Sequence, residues 1–412
     1  MRAAHAAIVP GTGTPTSGDP TSGSEKALHD ALSRVVDPAL FHAVGELGLL
    51  RRARLSGGAV EVVVAVPLGQ HPARDELRSR LVDAAASAVP GAPVDLELEP
   101  MGEGALTELG ERLRALDDDR EPSSGTPPGG ASGGRAPGGG TPGAARSSPI
   151  ASRRSRTRIL AIASGKGGVG KSTVTVNLAV ALAGSGHSVG LLDADIYGFS
   201  VPRMLGVDHP PMVIGGTVVP PVAHGVRTVS AGFFVDEDKA IAWRGPMLHK
   251  ALEQFLVDVH WGAPEYLVVD MPPGTGDVAL SVAQQVPRAE LYVVTTPQPA
   301  AQRVARRAGS LARQLNLPLR GVIENMSWFT APDGTRHELF GAGGGAELAG
   351  ALGVPLLAQV PFDVAVREGA DEGRPAVVVD PEGGVARTFA ELAARVAELG
   401  PARVYRPELR LS

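Results

Sequence analysis

Between Arg158 and Asn177 the chain reads RILAIASGKGGVGKSTVTVN, a stretch that leaves little choice of local structure. Its opening, RILAIA, is nearly all apolar, the pattern of a strand buried on both faces of a parallel sheet. GKGGVGKS follows at 165–172, and then Val176, Leu178, Ala179, Val180 and Leu182 resume at helical spacing. Strand, glycine-rich turn and helix in that order make a phosphate-binding loop. Gly165, Gly167, Gly168 and Gly170 let backbone N–H groups close around phosphate oxygens where a Cβ would obstruct them. The new helix points its positive end at the same anion. Lys171 has the reach for the β- and γ-phosphates, and the Ser172 hydroxyl is a ligand for Mg²⁺. The nucleotide-binding set is therefore continuous: Gly165, Lys166, Gly167, Gly168, Val169, Gly170, Lys171, Ser172 and Thr173.

Two further stretches place acids at strand ends, where a parallel sheet binds its ligands. LLDADIYGFS (191–200) puts Asp193 at a strand tip and Asp195 in the loop beyond; the same acids would also serve to cap a turn. YLVVDMPPGTGD (266–277) ends a buried strand in Asp270, which reads as the acid that holds Mg²⁺ directly or through water. The PPGTGD loop can swing on its glycines as a switch. In GVIENMSW (321–328) Asn325 offers donor and acceptor together, suited to an adenine edge, with a turn-forming asparagine as the alternative. QVPFD (359–363) would close the pocket near the base.

The remaining sequence sets the frame. Strand candidates recur at 158–163, 189–193, 226–230, 266–270, 290–295, 319–324 and 355–360 with helical patterns between them, and a last helix runs from about Val385 to Leu399. That alternation predicts an α/β fold, a mostly parallel sheet flanked by helices, over 158–400. A smaller α+β domain is expected at 25–115, with helices at Ala27–Val36 and Arg74–Ala88 and strands at Ala59–Val66 and Val94–Leu98. Residues 1–24 and the glycine- and proline-rich 116–157 read as disordered segment and linker, and 401–412 as a tail. The arginines at 153, 154, 156 and 158 read as a soluble flank rather than a nucleic-acid contact. Net charge of −5 gives no basic field for nucleic acid, no apolar run spans a bilayer, and no secretory leader is legible, so a cytoplasmic location is expected. There is no cysteine in the 412 residues, which excludes disulfides and thiolate metal sites built from this chain alone.

Lys166, one residue into the loop, gives the deviant Walker A form, which resembles the MinD/ParA/iron-protein branch of P-loop ATPases. The resemblance implies that Lys166 reaches across a dimer to the partner's nucleotide, although the residue alone would equally be a solvated surface lysine. It also implies that Asp195 orients the attacking water. GKGGVGKS, DADIYGFS, WRGPMLHKALEQFL (243–256), DMPPGTGDV, VTTPQ and ENMSW together resemble the Mrp/ApbC family, whose members carry iron–sulfur clusters to apoproteins. That likeness implies a homodimer that hydrolyses ATP slowly and meets apoproteins or scaffold proteins. A ParA- or MinD-like positioning ATPase is the alternative. VVDPAL (35–40) and ELGLL (46–50) resemble the family's small accessory domain, in which a cysteine usually follows the first long strand. Here PLGQHPARDEL (67–77) has His71 instead, and a single histidine reads as a surface or capping residue. The family's Cys-Pro-x-Cys pair also departs. Ala331 stands at the first position, Pro332 is kept, and Asp333 or Gly334 stands at the second, with His337 nearby. An iron–sulfur cluster is thus implied by the family, but no ligand for it can be named.

Overall fold

The computed structural model describes residues 20–67, 71, 73–119, 150, 155–234, 245–274, 280, 283–286, 288–298, 306, 307, 309, 310, 312, 313 and 316–402. They divide into two compact units between Gly102 and Glu103. The terminal segments 1–19 and 403–412, most of the linker, Trp243, Arg244 and the switch residues Thr275–Asp277 lie outside the described residues.

The first unit comprises α1 (Pro20–Ser33), β1 (Leu50–Ser56), β2 (Ala59–Val66), α2 (Arg74–Ala88) and β3 (Val94–Pro100). β2 is the central strand, with β1 antiparallel on one side and β3 parallel on the other. Val60, Val62, Val64 and Val66 alternate into the interior, and Leu28, Leu32, Leu77 and Leu81 are buried on the two helices. α1 starts at Pro20, inside the stretch expected to be disordered, and stops at Ser33, three residues before Val36. Beyond it the Asp37 carboxylate accepts the N–H groups of Ala39 and Leu40 at 2.8 and 2.9 Å, which fixes a turn instead of another helical turn. His71 is not at the surface. Its ring is buried, with Nε2 2.9 Å from Asp37 Oδ2, because a buried carboxylate needs a further donor beside its two backbone partners.

The second unit opens with α3 (Glu103–Asp119), which runs past the expected linker start at 116. Contacts within this unit explain the extension. Leu109 and Leu113 are buried, Arg114 donates to the Gly215 carbonyl, and Asp117 Oδ2 lies 2.7 Å from His260 Nδ1.

After the linker come β4 (Arg158–Ser164), α4 (Lys171–Gly184), β5 (Val189–Asp193) and the short α5 (Val201–Met204). Then follow a small hairpin of β6 (Met212–Ile214) and β7 (Thr217–Val219), β8 (Val222–Ala223), β9 (Val226–Ser230) and α6 (Gly245–Val257). β10 (Tyr266–Asp270), β11 (Glu290–Thr295) and β12 (Leu319–Glu324) lead to a second hairpin, β13 (Phe329–Thr330) with β14 (Arg336–His337). α7 (Gly344–Leu352), β15 (Leu356–Gln359), α8 (Val364–Asp371), α9 (Ala376–Val379) and α10 (Gly384–Glu398) complete the unit.

All seven expected strands are present within a residue at either end. The eight-stranded order is β15-β12-β11-β4-β10-β5-β9-β8, parallel except for β8 at one edge. β4 divides the interior by its alternation. Leu160 and Ile162 enter the layer of α4 and α10, with Leu178, Leu182, Phe389 and Leu392, while Ile159, Ala161 and Ala163 enter the opposite layer with Leu252 and Phe255 of α6. β10 and β5 lie to one side of β4, and β11 and β12 to the other, so the carboxyl end of β4 is a topological switch point. Among the described residues no helix is long and apolar enough to cross a membrane.

Candidate functional site

The loop between β4 and α4 turns at that switch point. Gly168 and Gly170 have φ of +78° and +76°, a region that a side chain disfavours. At Gly170 a Cβ would also collide with Asn325 Nδ2. Ser164 Oγ donates to the Lys166 carbonyl at 3.0 Å and holds the near side of the loop.

Four side chains meet where β4, β5 and β10 end. Lys171 Nζ lies 2.7 Å from Asp270 Oδ1 and 3.8 Å from Asp195 Oδ2. Ser172 Oγ donates to Asp270 Oδ2 at 2.6 Å. The parallel register sets Asp270 beside Asp193, so the tips of β10 and β5 carry adjacent acids. Asp193 is fully buried and accepts from the backbone N–H groups of Asp195, Ser200 and Val201 and from Ser230 Oγ, at 3.0–3.3 Å. It thereby closes the loop that carries Asp195. Burial, and after it the Asp270 charge, push the Asp193 carboxyl up to about 7. Burial also raises Asp195, against the pull of the Lys171 ammonium.

Asn325, expected at an adenine edge, is engaged within the chain. Asn325 Nδ2 donates to the Val169 carbonyl at 2.9 Å, and Asn325 N to the Thr295 carbonyl at 2.8 Å. The amide nitrogen thus braces the phosphate loop. Met326, next in sequence, has φ of +56°, a strained value for methionine. Buried Glu324 anchors this turn by accepting from Ser327 Oγ, Gln359 Nε2 and the Gly345 N–H. Pro361, Phe362 and Asp363 of QVPFD line a cavity of about 640 Å³, together with Trp328, Phe329 and Arg387.

Sequence reasoning missed Thr175, whose hydroxyl lies 2.8 Å from Asp270 Oδ1. The signal was its position one helical turn beyond Lys171, on the same face. It also passed over Glu324, which a buried run such as GVIEN does not separate from a strand-end acid.

At the position of the thiolate pair stands a self-contained turn. The Ala331 N–H donates to the Thr335 carbonyl at 2.8 Å, the Gly334 N–H to the Ala331 carbonyl at 2.8 Å, and the Thr335 N–H to Asp333 Oδ1 at 2.9 Å. Gly334 supplies φ of +84°. Pro-Asp-Gly is what such a hairpin turn requires. The Thr335 N–H holds the exposed Asp333 carboxyl below its usual range, and His337 is exposed on β14. Carboxylate and methyl groups are no substitute for soft thiolates on iron, and one imidazole does not make a cluster site.

Residues 155–397 match the ParA-class family of NUBPL iron-transfer P-loop NTPases, and residues 25–95 match the iron–sulfur cluster assembly protein family. An iron–sulfur cluster carrier protein of Mycobacterium leprae is 43% identical over 86% of this chain and 88% of its own length. The chain belongs to the iron–sulfur cluster carrier family of P-loop NTPases. A Synechocystis member is 49% identical over 58% of this chain and 70% of its own. An Archaeoglobus fulgidus nucleotide-binding protein, solved in complex with ADP, is 34% identical over 56% of this chain and 91% of its own, with a TM-score of 0.49. Membership joins the phosphate loop to cluster transfer and gives the small first unit its place as the family's assembly domain.

The donor set fits the nucleotide and metal that such a site takes. Ser172 and Asp270 offer hard oxygens, which suit Mg²⁺, and Lys171 with the loop N–H groups suits phosphate.

Proposed function

We propose that the chain is a Mg²⁺-dependent ATPase with slow turnover that works as a cytoplasmic homodimer and assists cluster transfer to apoproteins without ligating the cluster through its own residues. The observation that carries this reading is the convergence of Lys171, Ser172, Asp270 and Asp195 at the end of β4. Bound Mg²⁺ would be held by Ser172 and Asp270 and would neutralise charge on the transferred phosphoryl group. Lys171 would leave Asp270 for the phosphates. Asp195, aimed into the same space from the loop that Asp193 closes, would orient the attacking water. Lys166 would reach the partner's nucleotide, and Asn325 would meet the base through Oδ1. The Pro332-Asp333-Gly334 turn supports the last part of the proposal: a cluster would be held by thiolates of a partner, with this chain as the ATP-gated scaffold.

Anaerobic reconstitution with iron and sulfide, followed by iron analysis and visible absorption, tests this reading. The isolated protein should retain no stoichiometric iron, yet should accelerate cluster transfer from a thiolate-bearing scaffold when Mg-ATP is present. Stable stoichiometric iron on the isolated protein would overturn the ligand argument. ATP-stimulated binding to DNA or vesicles, with no effect on transfer, would favour the positioning ATPase instead.

A further inference from the structure

Asp270 is held by three groups of one helix. Lys171, Ser172 and Thr175 occupy the first turns of α4, and all three face the tip of β10. The two carboxylate oxygens are served unequally. Oδ2 accepts from Ser172 Oγ at 2.6 Å, whereas Oδ1 is shared by Lys171 Nζ at 2.7 Å and Thr175 Oγ1 at 2.8 Å. Thr175 is fully buried and sits one turn behind the loop that faces phosphate. Its hydroxyl also lies 2.9 Å from the Lys171 carbonyl, but it has one proton to give, and a carboxylate takes a hydroxyl proton more strongly than an amide oxygen does.

Two of the three donors have a second task. Ser172 can keep its proton on Oδ2 while a lone pair of the same oxygen serves a metal ion. Lys171 would leave Asp270 for the β- and γ-phosphates on nucleotide binding. Once Lys171 turns to phosphate, Oδ1 keeps Thr175 alone. We infer that Thr175 is the positioning residue for Asp270 and sets the Mg²⁺ affinity of the nucleotide complex. The inference rests on the nucleotide-site reading above and deepens it. Without the hydroxyl, a buried carboxylate oxygen loses its remaining donor and the carboxylate its fixed rotation. The loss acts on the Mg²⁺ ligand and leaves the phosphate cradle intact.

The test uses the full chain with Thr175→Val, which keeps the shape and removes the hydroxyl, and Thr175→Ser, which keeps the hydroxyl. Binding of a fluorescent ADP is titrated with Mg²⁺ at equilibrium, and separately in EDTA. Thr175→Val should raise the Mg²⁺ concentration needed for half-saturation about 10–100-fold, the range typical of groups that orient a metal ligand. Its Mg²⁺-free ADP affinity should stay close to that of the unaltered protein, and Thr175→Ser should restore the Mg²⁺ dependence. An unchanged Mg²⁺ requirement in Thr175→Val would overturn the inference. So would an equal loss of ADP affinity with and without Mg²⁺, which is the signature of a packing role. Should the unaltered protein bind no ADP, with or without Mg²⁺, the nucleotide-site reading itself would fail, an outcome distinct from the other two.

Discussion

Glu290→Gln removes one charge and almost no volume, at the end of the sheet opposite the phosphate loop. Glu290 opens β11, and its side chain is 4% exposed. It accepts from Arg158 Nη2 at 2.8 Å and Nε at 3.2 Å, from the Tyr292 hydroxyl at 3.1 Å and from the Ala402 N–H at 3.0 Å. Arg320 Nε stands 3.3 Å away as an ion pair too poorly aligned to be a hydrogen bond. Both arginines look onward to the end of α10. Arg158 donates to the Val396 carbonyl, and Arg320 to those of Leu399 and Gly400, so one carboxylate holds the two cations that cap the last helix. Breaking a buried pair from one side costs roughly 3–5 kcal/mol. Arg158 and Arg320 keep 11% and 19% of their side chains in water, which places the loss near the lower end, about 3 kcal/mol. At about 2 °C per kcal/mol for a unit of this size, the melting temperature of the larger unit should fall by roughly 6 °C. Thermal melts followed by circular dichroism would show it. The deficit should persist at high salt, since buried pairs are weakly screened, and ADP affinity should be unchanged. A fall of less than about 2 °C would refute the reasoning and leave the cap to the arginines and backbone alone.

Lys171→Ala should abolish nucleotide binding in a direct titration, and retained tight binding of Mg-ATP would remove the basis for the phosphate site. Asp195→Asn should still bind ATP but hydrolyse it at least about tenfold more slowly, by loss of water positioning, in a phosphate-release assay; unchanged turnover would reduce Asp195 to a loop residue. Gly170→Ala should lose most nucleotide affinity, because left-handed φ costs an alanine about 1–2 kcal/mol and its Cβ would displace Asn325 from the Val169 carbonyl. Asp193 titrates in the folded protein near 7, above the ordinary 3.8, so folding takes up a proton. The stability it contributes is fully present below about pH 4 and is lost as pH rises through 7, so denaturation curves across that window should slope less in Asp193→Asn.

The sheet was legible in the sequence because its strands are buried on both faces and so read as unbroken apolar runs. The phosphate loop was legible because its glycines answer to backbone geometry at fixed spacing, as Gly168 and Gly170 do. What was not legible depends on pairs distant in the chain. Asn325 presents the same amide to an adenine edge or to the Val169 carbonyl, and only the fold brings residue 169 to it. Asp37 and His71 lie on either side of β1 and β2, and neither residue alone announces a buried pair. Asp117 fell within the stretch read as linker, and only the fold supplies its partner His260, 143 residues on.

The hairpin of β13 and β14 shows where this chain stands within its family. A segment that wrapped metal thiolates would owe its shape to the metal, as small metal sites fold only with their ions. Here the shape is owed to proline, aspartate and glycine: three hydrogen bonds and one left-handed glycine close residues 331–335 by themselves. The hairpin is also tied to the nucleotide site. Ser327, two residues before β13, bonds Glu324, and Asn325 between them holds the Val169 carbonyl. Hydrogen bonds and chain continuity therefore link the phosphate loop to the base of the hairpin, and Trp328 at that base stacks on Arg336 of β14, with the guanidinium carbon 4.6 Å from the ring centre. Under the proposed scaffold role, a hairpin with no thiolate to offer would serve as a surface for a partner that holds the cluster itself.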